Sequence, residues 1–213
     1  MRFFLFGVSG TLLIISACLA LTIGQVDPLA GTLVYFHVPS SMCALLCFCV
    51  MLVTGIGFLS TRNMSWDTIS ASAAEVGLVF ATVLNLTGMV FSRALWNVWW
   101  TPSPRLISSA ILWFLYVAYI ILRSSISSEH RRARIGTVFS FIAFLDVPLV
   151  YISARIIPDI HKPNFSFDTS GQYAAFGLGM LGTILLAASL LWFRYDILSS
   201  KSRLERLTFS EQE

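Results

Sequence analysis

Residues 93–107 read RALWNVWWTPSPRLI, where three tryptophans, two prolines and two arginines interrupt an otherwise apolar chain. Segments long enough to cross a bilayer lie on either side, at about 72–92 and 106–123. The stretch is therefore either a loop at the membrane surface or an aromatic platform beside one. Amphipathic indoles favour the bilayer interface, so anchoring alone accounts for Trp96, Trp99 and Trp100. Flat rings also stack on large planar ligands and arginines pair with anionic groups, which leaves a binding platform as the alternative.

Outward from this stretch, composition sets the class. The 213 residues are 56% hydrophobic and only 12% charged. That is too little charge to cover a soluble domain, while repeated apolar runs near 20 residues fit membrane-spanning helices. The expected fold is all-α: a polytopic membrane protein forming one domain over residues 1–213, with 93–105 as an external tryptophan-rich segment. Six crossings are expected at about 4–24, 40–60, 72–92, 106–123, 135–153 and 173–194. The first has the look of a signal peptide, but five more spans hold the chain in the membrane.

Charge gives the orientation. With both termini cytoplasmic, ten of the fourteen Lys and Arg residues fall on the inner side, Arg123, Arg131, Arg132 and Arg134 among them. Only Arg93, Arg105, Arg155 and Lys162 fall outside, as the positive-inside rule expects. This places His37, the tryptophans and His161 together on the outer side, and His130 in the basic inner loop as a solvated residue.

Several polar positions carry alternatives. Pro39 biases the preceding residue away from helix, so helix 2 is expected to begin there with Ser40 or Ser41 as its cap and His37 just outside. His37 then either satisfies a polar junction or gives an imidazole nitrogen to a metal. Cys43, Cys47 and Cys49 lack zinc-site spacing and read as small hydrophobes. Glu75 needs a polar partner, an interfacial position or protonation, and Asn85 suits an interhelical bond. Asp146 and Pro148 predict a kink facing a polar outer vestibule, or an early helix end. His161 sits between Pro158 and Pro163, which restrict the chain around it.

Two outer histidines and a tryptophan platform match the needs of a porphyrin: axial donors, room for a flat ring, and cations for the propionates. The motifs YFHVP (35–39), SASAAEVG (70–77), LNLTGMVFSRALWNVWW (84–100), RLISSAILWFLYVAYIILR (105–123) and DVPLVYISARIIPDIHKP (146–163) together resemble the cytochrome c maturation protein C family, often called haem exporter protein C. The resemblance implies a haem-handling subunit in which His37 and His161 ligate a b-type, non-covalent haem, flanked by Trp96, Trp99 and Trp100, with Arg105 following the tryptophan motif. It also implies the partners: a membrane-anchored haem chaperone, ABC transporter subunits, a small single-span membrane subunit and the lipid bilayer, with no nucleic acid.

The sequence departs from the family pattern in two places. TPSPR stands where members usually have tryptophan and aspartate before the arginine, and RII at 155–157 replaces a tryptophan pair. No nucleophile–base pair or ATP-binding GxxxxGK[ST] motif emerges, so no enzyme activity is expected. The bacterial inner membrane is the favoured location over the mitochondrial inner membrane. Two other readings stand beside haem handling: a polytopic transporter for an organic anion, and an assembly scaffold that binds no haem.

Overall fold

A computed structural model describes residues 2–23, 28–156 and 167–210. Among them are seven helices and no strand: α1 (Arg2–Thr22), α2 (Pro28–Thr61), α3 (Met64–Trp96), α4 (Pro104–Ser124), α5 (Glu129–Phe144), α6 (Asp146–Ile156) and α7 (Ser170–Ser210). Five of them, α1 to α4 and α7, are long and apolar enough to cross a membrane. The expected fifth crossing, at about 135–153, is divided between α5 and α6. The protein is a polytopic all-α membrane protein.

The division of that crossing has a local cause. Pro148 carries no N–H, so Phe144 loses its helical donor and α5 ends there. The Leu145 N–H turns back to Ile142 O at 3.1 Å, a tighter closure than the α-helical one. Asp146, the first residue of α6, is only 5% exposed, so the acid faces protein rather than an open vestibule. Its Oδ2 has no hydrogen-bond partner among the described residues.

Small residues let the central helices approach closely. The buried face of α3 includes Ser70, Ala71, Ser72, Ala73, Ala74, Gly77 and Ala81. A Cβ on Gly77 would lie 2.3 Å from the Tyr116 ring, so α4 packs where α3 has no side chain. Tyr116 stacks on Phe48 with centroids 4.1 Å apart, and its hydroxyl donates to Ala44 O. One residue of α4 thereby locks α2 and α3 together. Nearby, Asn85 Nδ2 donates to Ser109 O at 3.2 Å, the interhelical bond expected of that asparagine.

The termini of the helices are chemically marked. Between α2 and α3, Arg62 adopts a left-handed φ of 56° and Asn63 Oδ1 accepts from Ser65 N at 2.9 Å. At the start of α7, Thr169 Oγ1 accepts from Gln172 N at 3.3 Å while Gln172 Oε1 accepts from Asp168 N and Thr169 N, a capping box. Helix α7 then runs antiparallel to α1, with Ser16 Oγ donating to Ala175 O at 2.7 Å.

The end of the bundle opposite the tryptophans is held by ion pairs. Arg123 Nη1 and Nη2 donate to Asp67 Oδ1 and Oδ2 at 2.6 and 2.8 Å, and the guanidinium lies 5.5 Å over the Tyr119 ring. Arg194 Nη2 on α7 donates to Glu75 Oε1 at 2.9 Å. Arg194 Nε lies beside the other Glu75 oxygen without forming a hydrogen bond to it. Glu75 thus has the polar partner its position in a membrane helix requires.

Candidate functional site

His37 lies inside α2, not before a helix as the sequence reading placed it. Pro39 is accommodated within the same helix, and Ser40 and Ser41 cap nothing: Ser41 Oγ donates to Val38 O at 2.8 Å. Pro39 removes the donor that would serve Tyr35 O four residues back. Gly179 of α7 fits against that oxygen so closely that a Cβ would come within 2.9 Å of it. A neighbouring helix close to the freed carbonyl is one way membrane helices tolerate an internal proline.

With α2 continuous, the His37 imidazole points across to α3. Its Nδ1 is 3.0 Å from Thr87 Oγ1, and its ring stacks on Phe91 with centroids 5.8 Å apart and planes 15° from parallel. Phe91 in turn meets Trp96 edge-on at 6.0 Å. His37 and Trp96, separated by almost sixty residues in sequence, are therefore joined through one phenyl ring. Phe91 also packs against a second aromatic group: Tyr35, two residues before His37, stacks on Phe167 at 5.6 Å, and Phe167 touches Tyr173 and Phe176.

The remaining tryptophans stand apart from this cluster. Trp96 is the last residue of α3, and Asn97 closes the helix in a left-handed conformation with φ 59°, its N–H donating to Arg93 O. The chain is thereby turned out of the helix, and Trp99 and Trp100 are 56% and 47% exposed. Arg93 donates to Asn97 O at 2.6 Å and lies 5.8 Å over the Trp99 ring, so one cation braces both the helix end and the loop. Ser103 caps α4 by accepting from Leu106 N at 3.4 Å, with Pro104 as its first residue and half-buried Arg105 next. Pro104 suits that position because its missing N–H would have no helical partner there. Thr101 Oγ1 is buried in the loop with no hydrogen-bond partner among the described residues.

The sequence-predicted residues thus divide. His37 and Trp96 share one cluster, Trp99 and Trp100 form an exposed pair beyond it, and Arg105 begins α4 after the same loop. His161, with Pro158, Asp159 and Pro163, lies outside the described residues. Three contributors to the imidazole's surroundings, Thr87, Gly88 and Phe91, were missed by reading the sequence. The available signal was the run LTGMVF, in which Thr87 and Phe91 are four residues apart and so share a helix face.

In chemical terms, the described residues at this end offer an imidazole whose Nδ1 meets Thr87 Oγ1, broad aromatic faces, a hydroxyl without a hydrogen-bond partner among them, and nearby guanidinium groups. Such a donor set is chemically suited to a planar, apolar body with a metal and acidic edges, and the class that the fold defines is a polytopic helical membrane protein. The model of the family described as Heme exporter protein C matches residues 1–210, and the chain belongs to that family. Heme exporter protein C of Bradyrhizobium diazoefficiens is 26% identical over 131 residues, covering 62% of this chain and 50% of that protein. A cytochrome c biosynthesis ccmC-like mitochondrial protein of Marchantia polymorpha is 25% identical over 132 residues, 62% of this chain and 55% of the relative. Heme exporter protein C of Escherichia coli K12 is 25% identical over 166 residues, 76% of this chain and 67% of the relative. The match spans about half the length of the first two relatives.

Proposed function

We propose that this protein handles haem in cytochrome c maturation, holding it non-covalently at the tryptophan end of the bundle and presenting it to a membrane-anchored haem chaperone. The observation that carries the reading is the junction of His37, Phe91 and Trp96 at the helix end from which the exposed Trp99 and Trp100 follow. An axial donor and stacking surfaces are the two things a porphyrin most requires of a protein. His37 and His161 are the proposed iron ligands, Trp96, Trp99 and Trp100 flank the macrocycle, and Arg105 meets a propionate. Bound haem is cargo, and the chain's residues hold and orient it without chemical conversion, so the protein is not an enzyme.

In this reading residues 1–213 form one haem-handling domain, with 93–105 as its external segment. Both termini are cytoplasmic and the membrane is the bacterial inner membrane, an orientation supported by the bias of basic residues toward the other end of the helices. The ABC transporter subunits of the maturation system and a small single-span membrane subunit are the proposed neighbours. A family member among mitochondrial proteins is consistent with the same chemistry at a mitochondrial inner membrane.

Purified protein in detergent should show haem absorption that is lost in a His37→Ala, His161→Ala double variant and retained in His130→Ala. Unchanged oxidised and reduced spectra in the double variant would overturn the ligand assignment. Single cysteines at Thr101 and Ser128, in a background without the native cysteines, should label from opposite faces, Thr101 from outside. Labelling of both from one face would overturn the orientation.

A further inference from the structure

The His37 imidazole meets three residues of α3 within little more than one helical turn. Thr87 Oγ1 is 3.0 Å from Nδ1 and Phe91 covers one ring face. Gly88 lies beneath the edge of the ring, where a Cβ would come within 3.1 Å of Cε1. Glycine weakens a helix interior, and here its lack of a side chain makes the room the imidazole occupies.

The hydrogen-bond arithmetic of Thr87 decides which imidazole nitrogen carries the proton. A hydroxyl has one hydrogen to donate. The Thr87 Oγ1 lies 2.6 Å from Val83 O and 3.3 Å from Leu84 O, so its hydrogen is committed to its own helix. With that hydrogen engaged, Oγ1 meets His37 as an acceptor, and Nδ1 must supply the N–H. A neutral imidazole has a single N–H, so its other nitrogen, Nε2, retains the lone pair. Metal-bound histidines are commonly held this way, with the second nitrogen donating to a fixed acceptor that sets the tautomer and raises ligand basicity.

We infer that Thr87 and Gly88 form a seat for His37 that fixes its Nδ1–H tautomer and offers Nε2 as the nitrogen that binds haem iron. The inference rests on the haem reading for its ligand and on the geometry of α2 and α3 for its direction. Thr87 is a positioning residue, since it acts through His37 and not on haem. Packing alone does not require it: a valine would fill the same space, and the back-bond to Val83 O satisfies the threonine without any partner on α2.

The test uses full-length protein carrying isotope-labelled histidine in lipid nanodiscs, with and without added iron protoporphyrin IX. His37→Ala identifies the His37 signals. In the wild type the nitrogen shifts should show a protonated Nδ1 and an unprotonated Nε2 before haem is added. Thr87→Val should give mixed tautomers, bind haem about 10-fold or more weakly and shift the reduced haem spectrum. Thr87→Ser, which keeps the acceptor, should restore all three. Gly88→Ala, which crowds Cε1 and leaves the acceptor in place, should alter the haem spectrum while Nδ1 stays protonated. A protonated Nε2 in the wild type overturns the seat, and so does a Thr87→Val variant with wild-type nitrogen shifts and haem affinity. Wild-type protein that binds no haem removes the haem reading instead, and the nitrogen shifts still decide whether the seat sets the tautomer.

Discussion

The two ends of the bundle solve the problem of polar chemistry in a membrane protein in opposite ways. At the end away from the tryptophans, Asp67 and Arg123 answer each other with two short hydrogen bonds, and their side chains are 6% and 12% exposed. The two groups are satisfied chiefly by each other. At the other end, the described surface is aromatic: His37 Nδ1 meets Thr87 Oγ1 and its ring stacks on Phe91, while Trp99 and Trp100 project outward. The comparison teaches that charge buried in this chain can serve packing alone. Among the described residues the ion pairs at one end tie helices together, and the aromatic end carries the surfaces that the proposed function assigns to haem.

That contrast can be broken most forcefully at the ion pair. Asp67→Ala leaves the Arg123 guanidinium buried without its carboxylate, which is expected to cost about 3–5 kcal/mol. Denaturant titration followed by tryptophan fluorescence would measure it, with haem absorption per folded molecule unchanged. Replacing both residues together, Asp67→Leu with Arg123→Met, should recover most of the loss. A single variant of wild-type stability would show that the pair does not hold that end of the bundle.

Gly77→Ala should have the next largest effect. The added methyl meets the Tyr116 ring, and overpacking of this kind costs roughly 1–3 kcal/mol, offset in part by the better helix propensity of alanine. The same titration reads it, and a rise in stability would mean that α3 and α4 have slack at their closest approach.

The smallest change in stability is expected where the functional loss is greatest. Trp99→Ala with Trp100→Ala removes exposed rings, so folding should change by within about 0.5 kcal/mol. Haem retention, chaperone binding or transfer should fall in the same preparations. Normal values for all three would assign the rings to interfacial anchoring and erase the contrast between the two ends.

Hydropathy made the membrane class and the positions of the crossings legible, because apolar length is a local property of sequence. Helix ends were legible only where local chemistry decides them, as at Pro148. Pro39 has the same local signature, yet α2 continues through it because Gly179, far away in sequence, fits against the freed carbonyl. Half of the site was visible in the same manner. A histidine and clustered tryptophans stand out by type, whereas Thr87 and Gly88 are ordinary residues of a membrane helix until α2 places an imidazole over them.

Helix α7 has a mechanical consequence beyond its packing. Its 41 residues, at 1.5 Å each, make a rod about 60 Å long, roughly twice the hydrocarbon thickness of a bilayer. No proline interrupts it, and proline is a frequent cause of sharp kinks. The Glu75–Arg194 pair grips this rod near its middle, with Ser210 at one end and Gly179 almost as far away on the other side. Before Arg194 the rod is braced along its length, with Ser16 Oγ donating to Ala175 O and Leu12 and Leu13 lying under Gly182, so this arm is clamped to α1 while the basic tail extends beyond the ion pair.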